Sequence, residues 1–136
     1  MRGFSREILV LMGAALLPAG AAAWLHPRSP SWISEEVRLE VAGQIGGRVL
    51  WVDVRAPEDY AAGHIPGAVG LHGEGWDEGL GQLLDQWTEG RVVVVYCSRR
   101  SCQTSHLVAR RLREEVGLSD VRVLDGGWEA WKEAHP

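Results

Sequence analysis

Three short runs of apolar, mostly β-branched residues occur along the chain, and the segments between them have the spacing of amphipathic helices. The runs lie at residues 49–54, 92–96 and 121–124. A short apolar run rich in β-formers, such as that at 49–54, is typical of a strand that is buried on both faces. Strands of this kind that alternate with helices predict an α/β domain with a mostly parallel central sheet and helices on both of its faces.

Capping residues and helix breakers give provisional bounds for the other elements. Ser34 is a candidate cap for a first helix, with Glu35 and Glu36 in its first turn, where the helix dipole favours anions. The remaining elements are predicted, in chain order, as a short helix at 57–62, a brief strand at 68–71, an amphipathic helix from 76 that stops at Gly90, a helix from Ser101 or Thr104 to Gly117, and a last helix after Gly126.

An uncharged apolar stretch at residues 8–25 follows Arg2 and Arg6. Its length just reaches that of a membrane-spanning helix, and its small residues near position 23 are also typical of a cleavable secretory signal. Positive charge before the stretch and little after it favours export of the rest of the chain. We therefore predict a signal peptide or membrane anchor at 1–26, a linker at 27–31, and a domain at 32–136 that is periplasmic or otherwise extracytoplasmic.

The composition excludes some classes of partner. The net charge is −4, and residues 31–136 carry 17 acidic side chains against 11 basic ones. Proteins bind a phosphate backbone through clustered lysines and arginines, so this acidic body argues against a nucleic-acid partner. The two cysteines and five scattered histidines do not form two closely spaced ligand pairs, so no metal site is predicted.

Cys97 is the candidate reactive residue, because it directly follows the predicted strand at 92–96 and precedes a loop and a helix. Ligands of parallel sheets bind outside the carboxyl ends of the strands, and helix N-termini attract anions. A thiol in that place is favoured as a thiolate, and Arg99 and Arg100 add positive charge. The pattern itself leaves open a second interpretation, in which Cys97 is an inert cysteine buried at a strand end.

Three stretches of the chain resemble the signatures of the rhodanese-like family. The first runs from Val52 through the Gly-His-Ile-Pro-Gly-Ala segment at 63–68, and the second is Tyr96-Cys97 with its loop and helix. The third is the Asp-Gly-Gly-Trp segment at 125–128 together with Trp131. The resemblance covers about residues 31–134 and implies a single rhodanese domain. It also implies that Cys97 takes a sulfane sulfur as a persulfide, without a metal or organic cofactor, and passes it to an acceptor.

The resemblance implies that the loop after Cys97 binds the persulfide, through Ser98, Arg99, Arg100, Ser101, Cys102 and Gln103. Many members of the family have a glycine midway along this loop and an arginine at its end, where this chain has Arg100 and Cys102. The related phosphatases need an arginine at the position of Gln103, because its two-pronged side chain grips the phosphate. Phosphatase activity is therefore disfavoured.

Other polar residues are assigned supporting roles near the site. Asp53 and Arg55 are predicted to form a buried pair, and Glu58 is a second candidate partner for Arg55 across the turn. His64 is predicted to order the loop at 63–67 through hydrogen bonds. The remaining candidates are expected to be structural, with a solvated helix face at His106 and Arg110 and core positions at Trp128 and Trp131.

The leading hypothesis is an exported or membrane-anchored sulfurtransferase that uses a small anionic sulfur donor and a thiol or cyanide acceptor. Membrane attachment would occur through residues 8–25. One alternative is a thiol redox protein, because Cys102 could form a disulfide with Cys97 in an oxidising compartment. The other alternative is a noncatalytic rhodanese module that binds a partner or senses sulfur species.

Overall fold

The computed structural model describes residues 35–98 and 102–136, with the backbone alone at Cys102. The predicted signal or anchor at 1–26, the predicted linker at 27–31 and the predicted cap Ser34 lie outside these residues. Within the described part of the chain, no helix is both long and apolar enough to cross a bilayer.

A sheet of five strands lies at the centre of the described residues. The strands are β1 (Glu36–Val37), β2 (Val49–Asp53), β3 (Val69–Gly70), β4 (Val92–Tyr96) and β5 (Val121–Leu124). Their spatial order is β1-β5-β4-β2-β3, and every adjacent pair is parallel. The prediction of a parallel α/β sheet is confirmed, and the three strands that the apolar runs predicted form its middle.

Helices cover both faces of this sheet. They are α1 (Leu39–Ile45), α2 (Pro57–Ala62), α3 (Trp76–Gln86), α4 (Cys102–Arg111) and α5 (Gly127–Ala134), with a π-helical turn at Leu112–Val116 after α4. Side chains of β4 alternate between two hydrophobic clusters. Val93 and Val95 lie in the cluster that α3 and α4 cover, whereas Val94 and Tyr96 lie in the cluster that α1 and α5 cover.

The segment that was predicted as the first turn of a helix is a strand. Glu36–Val37 pairs in parallel with β5, and helix α1 begins only at Leu39. The backbone N–H of Asp125 donates to the Val37 carbonyl oxygen over 2.9 Å, and the Val37 side chain is buried. Pairing with β5 outweighs the local preference of the two glutamates for a helix N-terminus, because burial and ladder hydrogen bonds act there together.

Helix α3 ends at Gln86 rather than at the predicted Gly90. Trp87 leaves the helix in an extended conformation, and the Arg91 side chain donates a hydrogen bond of 2.8 Å to the Gln86 carbonyl oxygen. This contact satisfies one of the last carbonyl groups of the helix, which have no partner inside it. Gly90 instead shapes the turn into β4, with a φ of +86°.

His106 lies on the solvated face predicted for it, with about a third of its side chain exposed, and it also contacts the segment before α1. The ring nitrogens of His106 lie 3.5 Å from a Glu35 carboxylate oxygen and 3.2 Å from a Glu36 carboxylate oxygen. Arg113 donates to the same Glu35 carboxylate over 2.7 Å, and this hydrogen bond lowers the pKa of Glu35. These contacts join the segment before α1 to α4 and to the π-helical turn after it, and Arg110 is exposed as predicted.

Candidate active site

Cys97 lies at the edge of the sheet where the carboxyl ends of β2, β3 and β4 meet. Asp53, the last residue of β2, is in register with Tyr96 of β4 on one side and with Gly70 of β3 on the other. Cys97 follows Tyr96 directly, is only 3% exposed, and packs in the cluster that α3 and α4 cover. Parallel α/β proteins bind their ligands at this edge.

The sulfur of Cys97 contacts a buried hydroxyl group. Cys97 Sγ lies 3.4 Å from Ser105 Oγ, and the thiol also donates to the Ser98 carbonyl oxygen over 3.1 Å. Ser105 lies on α4 and is 1% exposed. A hydroxyl group can accept a hydrogen bond from a thiol and can rotate to donate one to a thiolate. Ser105 is therefore suited to support Cys97 in either protonation state.

Ser105 is a site residue that the sequence patterns did not identify. Ser105, Ala109 and Leu112 are all buried, and they follow one another at the i, i+4, i+7 spacing of a helix face that packs on a core. A serine on such a face, in the helix that follows a candidate nucleophile, carries a recognisable signal.

Helix α4 begins at Cys102, so the positive end of its dipole adjoins the loop that follows Cys97. The structure describes two members of the predicted persulfide-binding loop, Ser98 and Gln103. The others lie outside the described residues, namely Arg99, Arg100, Ser101 and the side chain of Cys102. The arrangement of the loop around the sulfur stays a prediction, whereas the strand, the thiol and the helix that frame it are in place.

Asp53 and Arg55 form a buried ion pair beside β4. Arg55 Nη2 and Nε lie 2.7 and 3.1 Å from Asp53 Oδ2, and the Arg55 backbone N–H donates to Oδ1 over 2.9 Å. Arg55 Nη2 also donates to the Gly63 carbonyl oxygen over 2.6 Å. Burial by itself lowers the pKa of Arg55, but the hydrogen bonds and charge of Asp53 outweigh burial and raise it. The guanidinium therefore stays charged and ties the end of β2 to the end of α2.

The predicted pairing of Glu58 with Arg55 is wrong. The described hydrogen bonds of the Arg55 side chain go to Asp53 and Gly63, and Glu58 is exposed in the first turn of α2. Asp53 is the better partner because its carboxylate is buried beside the guanidinium, where water cannot compete for the charge. Glu58 keeps a local role, since a carboxylate in the first turn of a helix interacts favourably with the helix dipole.

His64 orders the segment that follows α2 and is not among the groups that contact Cys97 in the described hydrogen bonds. Its Nδ1 lies 2.8 Å from the Tyr60 carbonyl oxygen, and its ring stacks on the Tyr60 ring at 3.8 Å between centroids. The Tyr60 hydroxyl donates to the Ala68 carbonyl oxygen over 2.8 Å. These contacts fix the path of the chain from α2 to β3.

A cluster of aromatic and cationic side chains joins β4, which ends directly before Cys97, to helix α5. The Tyr96 and Trp128 rings lie 6.3 Å apart at 23°, and Arg55 Cζ lies 4.5 Å from the Trp128 ring centroid. The backbone N–H of Ile65 donates to the Tyr96 hydroxyl over 3.1 Å. Burial raises the pKa of that hydroxyl, so it stays neutral. Trp128 therefore packs against the core from α5, next to the site.

The sequence is similar to a protein family model and to several known proteins. A family model described as Rhodanese-like domain matches residues 39–134. The chain is 37% identical over 84 residues to the thiosulfate sulfurtransferase GlpE of Shewanella oneidensis, which covers 62% of this chain and 76% of that protein. It is 36% identical over 89 residues to an HTH-type transcriptional regulator of Mycobacterium tuberculosis, which covers 63% of this chain and 35% of the regulator. The chain thus spans about a third of the regulator's length.

Solved structures share the fold. The BH2092 protein of Bacillus halodurans superposes with a TM-score of 0.59 at 24% identity, over 73% of this chain and 72% of that chain. An uncharacterized protein from Saccharomyces cerevisiae gives 0.58 at 19% identity, over 77% and 95% of the two chains. The human single-domain sulfurtransferase TSTD1 gives 0.52 at 21% identity, over 76% and 99%. At these identities the likeness shows the fold alone.

Replacing Asp53 by alanine should destabilise the fold strongly. The Arg55 guanidinium would stay buried without its carboxylate, and an uncompensated buried charge costs about 3–5 kcal/mol. Urea denaturation of the full chain measures the change in the free energy of unfolding. Glu115→Ala is the control, because it breaks the exposed Arg111–Glu115 pair, and such pairs contribute about 1 kcal/mol or less. Equal losses in the two variants would contradict the role given to the Asp53–Arg55 pair.

Proposed function

The chain belongs to the rhodanese-like domain family, and on that basis we propose that it is a sulfurtransferase that moves a sulfane sulfur through a persulfide on Cys97. The donor is a small anionic species such as thiosulfate, and the acceptor is a thiol or cyanide. The observation that carries the proposal is the position of Cys97 at the end of β4, with its sulfur beside Ser105 and the start of α4. The activity named for the GlpE relative supports the same class of reaction.

The proposed reaction consists of two sulfur–sulfur exchanges. The Cys97 thiolate attacks the outer sulfur of thiosulfate, a new S–S bond forms, and the S–S bond of thiosulfate breaks as sulfite leaves with the electron pair. The acceptor, as cyanide or a thiolate, then attacks the outer sulfur of the persulfide. Cys97 leaves as a thiolate, and the product is thiocyanate or an acceptor persulfide. Each step forms one bond to sulfur and breaks one S–S bond, so neither step needs a resident metal or organic cofactor.

The residues around Cys97 have distinct parts in this scheme. Ser105 donates a hydrogen bond to the thiolate once the thiol proton has gone, and the α4 N-terminus stabilises the negative charge. Arg99 and Arg100 attract the anionic donor to the loop. Asp53 and Arg55 keep the strand ends in place without entering the chemistry.

Replacing Cys97 by serine should abolish sulfur transfer and leave the fold intact. The two side chains are similar in size, but a serine hydroxyl is not ionised at neutral pH and cannot replace a thiolate nucleophile. The thiosulfate:cyanide assay measures the activity. Mass spectrometry of the thiosulfate-treated wild-type chain should show one added sulfur atom on the peptide that contains Cys97.

Two other outcomes would replace the proposal. A wild-type chain that gains no sulfur and no activity would be the noncatalytic module. A stoichiometric disulfide between Cys97 and Cys102, formed in preference to the persulfide, would favour the thiol redox function. Nonreducing peptide mapping of the oxidised wild-type chain separates the two.

Ser105→Ala should slow formation of the persulfide at neutral pH by about tenfold or more, because a hydrogen bond to a charged group contributes about 1.5–3 kcal/mol. The rate is measured by quenching thiosulfate reactions and determining the persulfide fraction. Thr104→Ala is the matched control, since Thr104 is a neighbouring hydroxyl on the same helix and is exposed. A Ser105→Ala rate equal to that of the control would remove Ser105 from the site.

We also propose that the domain acts outside the cytoplasm. Export is supported by the uncharged apolar stretch at residues 8–25, which follows the positively charged Arg2 and Arg6. A C-terminal alkaline phosphatase fusion should be active in bacterial cells that express the full chain, because this reporter needs an oxidising compartment to form its disulfides. An inactive phosphatase together with an active cytoplasmic reporter at the same position would refute export.

A further inference from the structure

The first residues of helix α5 lie against the backbone of Cys97. A methyl group placed on Gly127 would collide with the Cys97 carbonyl oxygen and would lie 3.1 Å from the Cys97 carbonyl carbon and 3.5 Å from the carbonyl carbon of Ser98. Gly127 also has a φ of +56°, a conformation that side chains rarely adopt. A residue without a side chain is therefore needed at this position for two reasons, and only one of them concerns Cys97.

A hydrogen bond accompanies this close approach. The backbone N–H of Trp128 donates to the Cys97 carbonyl oxygen over 2.8 Å. The first N–H groups of a helix have no acceptor inside the helix, so this donor is available for a partner outside α5. The preceding carbonyl, that of Tyr96, accepts from the backbone N–H of Val54, the residue after β2. Beyond the end of β5, the Cys97 carbonyl oxygen can no longer pair with that strand. The Trp128 amide at the start of α5 supplies the hydrogen-bond donor instead.

The orientation of this peptide affects the group that follows the nucleophile. Because a peptide unit is planar and trans, the N–H of Ser98 points opposite to the Cys97 carbonyl and therefore away from α5. The hydrogen bond from Trp128 consequently sets the direction in which the first amide of the loop points. It also sets the direction in which the chain leaves β4 towards the loop.

The packing around Trp128 prevents α5 from shifting away from Cys97. Its ring contacts both the Tyr96 ring and the Arg55 guanidinium, which also lies over Tyr96. Arg55 in turn is held by Asp53 and by the Gly63 carbonyl oxygen. A side chain at Gly127 would therefore displace the Cys97 peptide rather than simply tilt the helix.

We propose that Gly127 and the backbone amide of Trp128 are positioning groups for the reaction of Cys97. They fix the plane of the Cys97–Ser98 peptide and thereby orient the Cys97 sulfur and the Ser98 amide. This inference rests on the proposed sulfurtransferase function for its biological meaning. The reactivity of the thiol itself tests it independently of sulfur transfer.

The test compares Gly127→Ala with Gly90→Ala in the full chain. Gly90 is a matched control, since it has a φ of +86° and open space around its Cα, and it lies before β4 at the opposite end of that strand. Both variants carry similar backbone strain, but only one pushes on Cys97. The readouts are the second-order rate of alkylation of Cys97 by iodoacetamide at neutral pH and the rate of persulfide formation with thiosulfate. Urea denaturation shows that each variant is folded under the assay conditions.

We expect both rates to fall at least tenfold in Gly127→Ala relative to Gly90→Ala. Equal rates in the two folded variants would overturn the proposal, because strain alone would then explain the glycine. A wild-type chain that is alkylated normally but forms no persulfide would refute the proposed function. The difference in alkylation between the two variants would in that case still support the positioning of Cys97.

A measurement on the wild-type chain covers the case in which Gly127→Ala does not fold. The Trp128 amide should exchange with solvent at least tenfold more slowly than an exposed amide, and its ¹⁵N resonance should move when iodoacetamide alkylates Cys97. Fast exchange, or a resonance that alkylation leaves unmoved, would overturn the proposal.

Discussion

The buried pair of Asp53 and Arg55 is the interaction on which the geometry of the candidate site depends. A charge pair removed from water is stable only when hydrogen bonds satisfy most of its polar atoms, and here the Arg55 side chain and backbone both bind the Asp53 carboxylate. The remaining capacity of the guanidinium is used by the Gly63 carbonyl oxygen and the face of the Trp128 ring. One arginine thus connects β2, the end of α2 and the start of α5 around the strand that carries Cys97.

Cys97 is placed by contacts on two sides that act on different atoms. Its sulfur faces Ser105 on α4, and its carbonyl oxygen faces the Trp128 amide on α5. The two helices pack on opposite faces of the sheet, so Cys97 lies where both layers reach the end of β4. In the proposed reaction, these contacts hold the thiolate at a fixed strand end, and sulfur exchange needs little more than a positioned thiolate and stabilisation of negative charge.

The elements that sequence patterns predicted well are those whose signal is local. The apolar run at 92–96 can be buried on both sides only in the middle of a sheet, and the place of Cys97 follows from its position directly after that run. Gly117 ends its helical segment because it adopts a left-handed conformation with a φ of +84°, which favours glycine. The pairing of Asp53 with Arg55 is predictable from the sequence, because the two residues are only two positions apart.

The features that the sequence alone did not determine depend on segments that meet only after folding. Whether Glu36–Val37 forms a helix or a strand is decided by the neighbouring β5. The contact of Cys97 with Ser105 depends on how α4 packs, and the loss of Glu58 from the site depends on the burial of the Asp53 carboxylate. The sequence by itself determined the class of fold and the place of Cys97 directly after a central strand, because hydrophobic periodicity and strand ends depend on local sequence. Tertiary structure alone decided what surrounds the sulfur, because Gly127 reaches Cys97 only when β4 and β5 lie side by side.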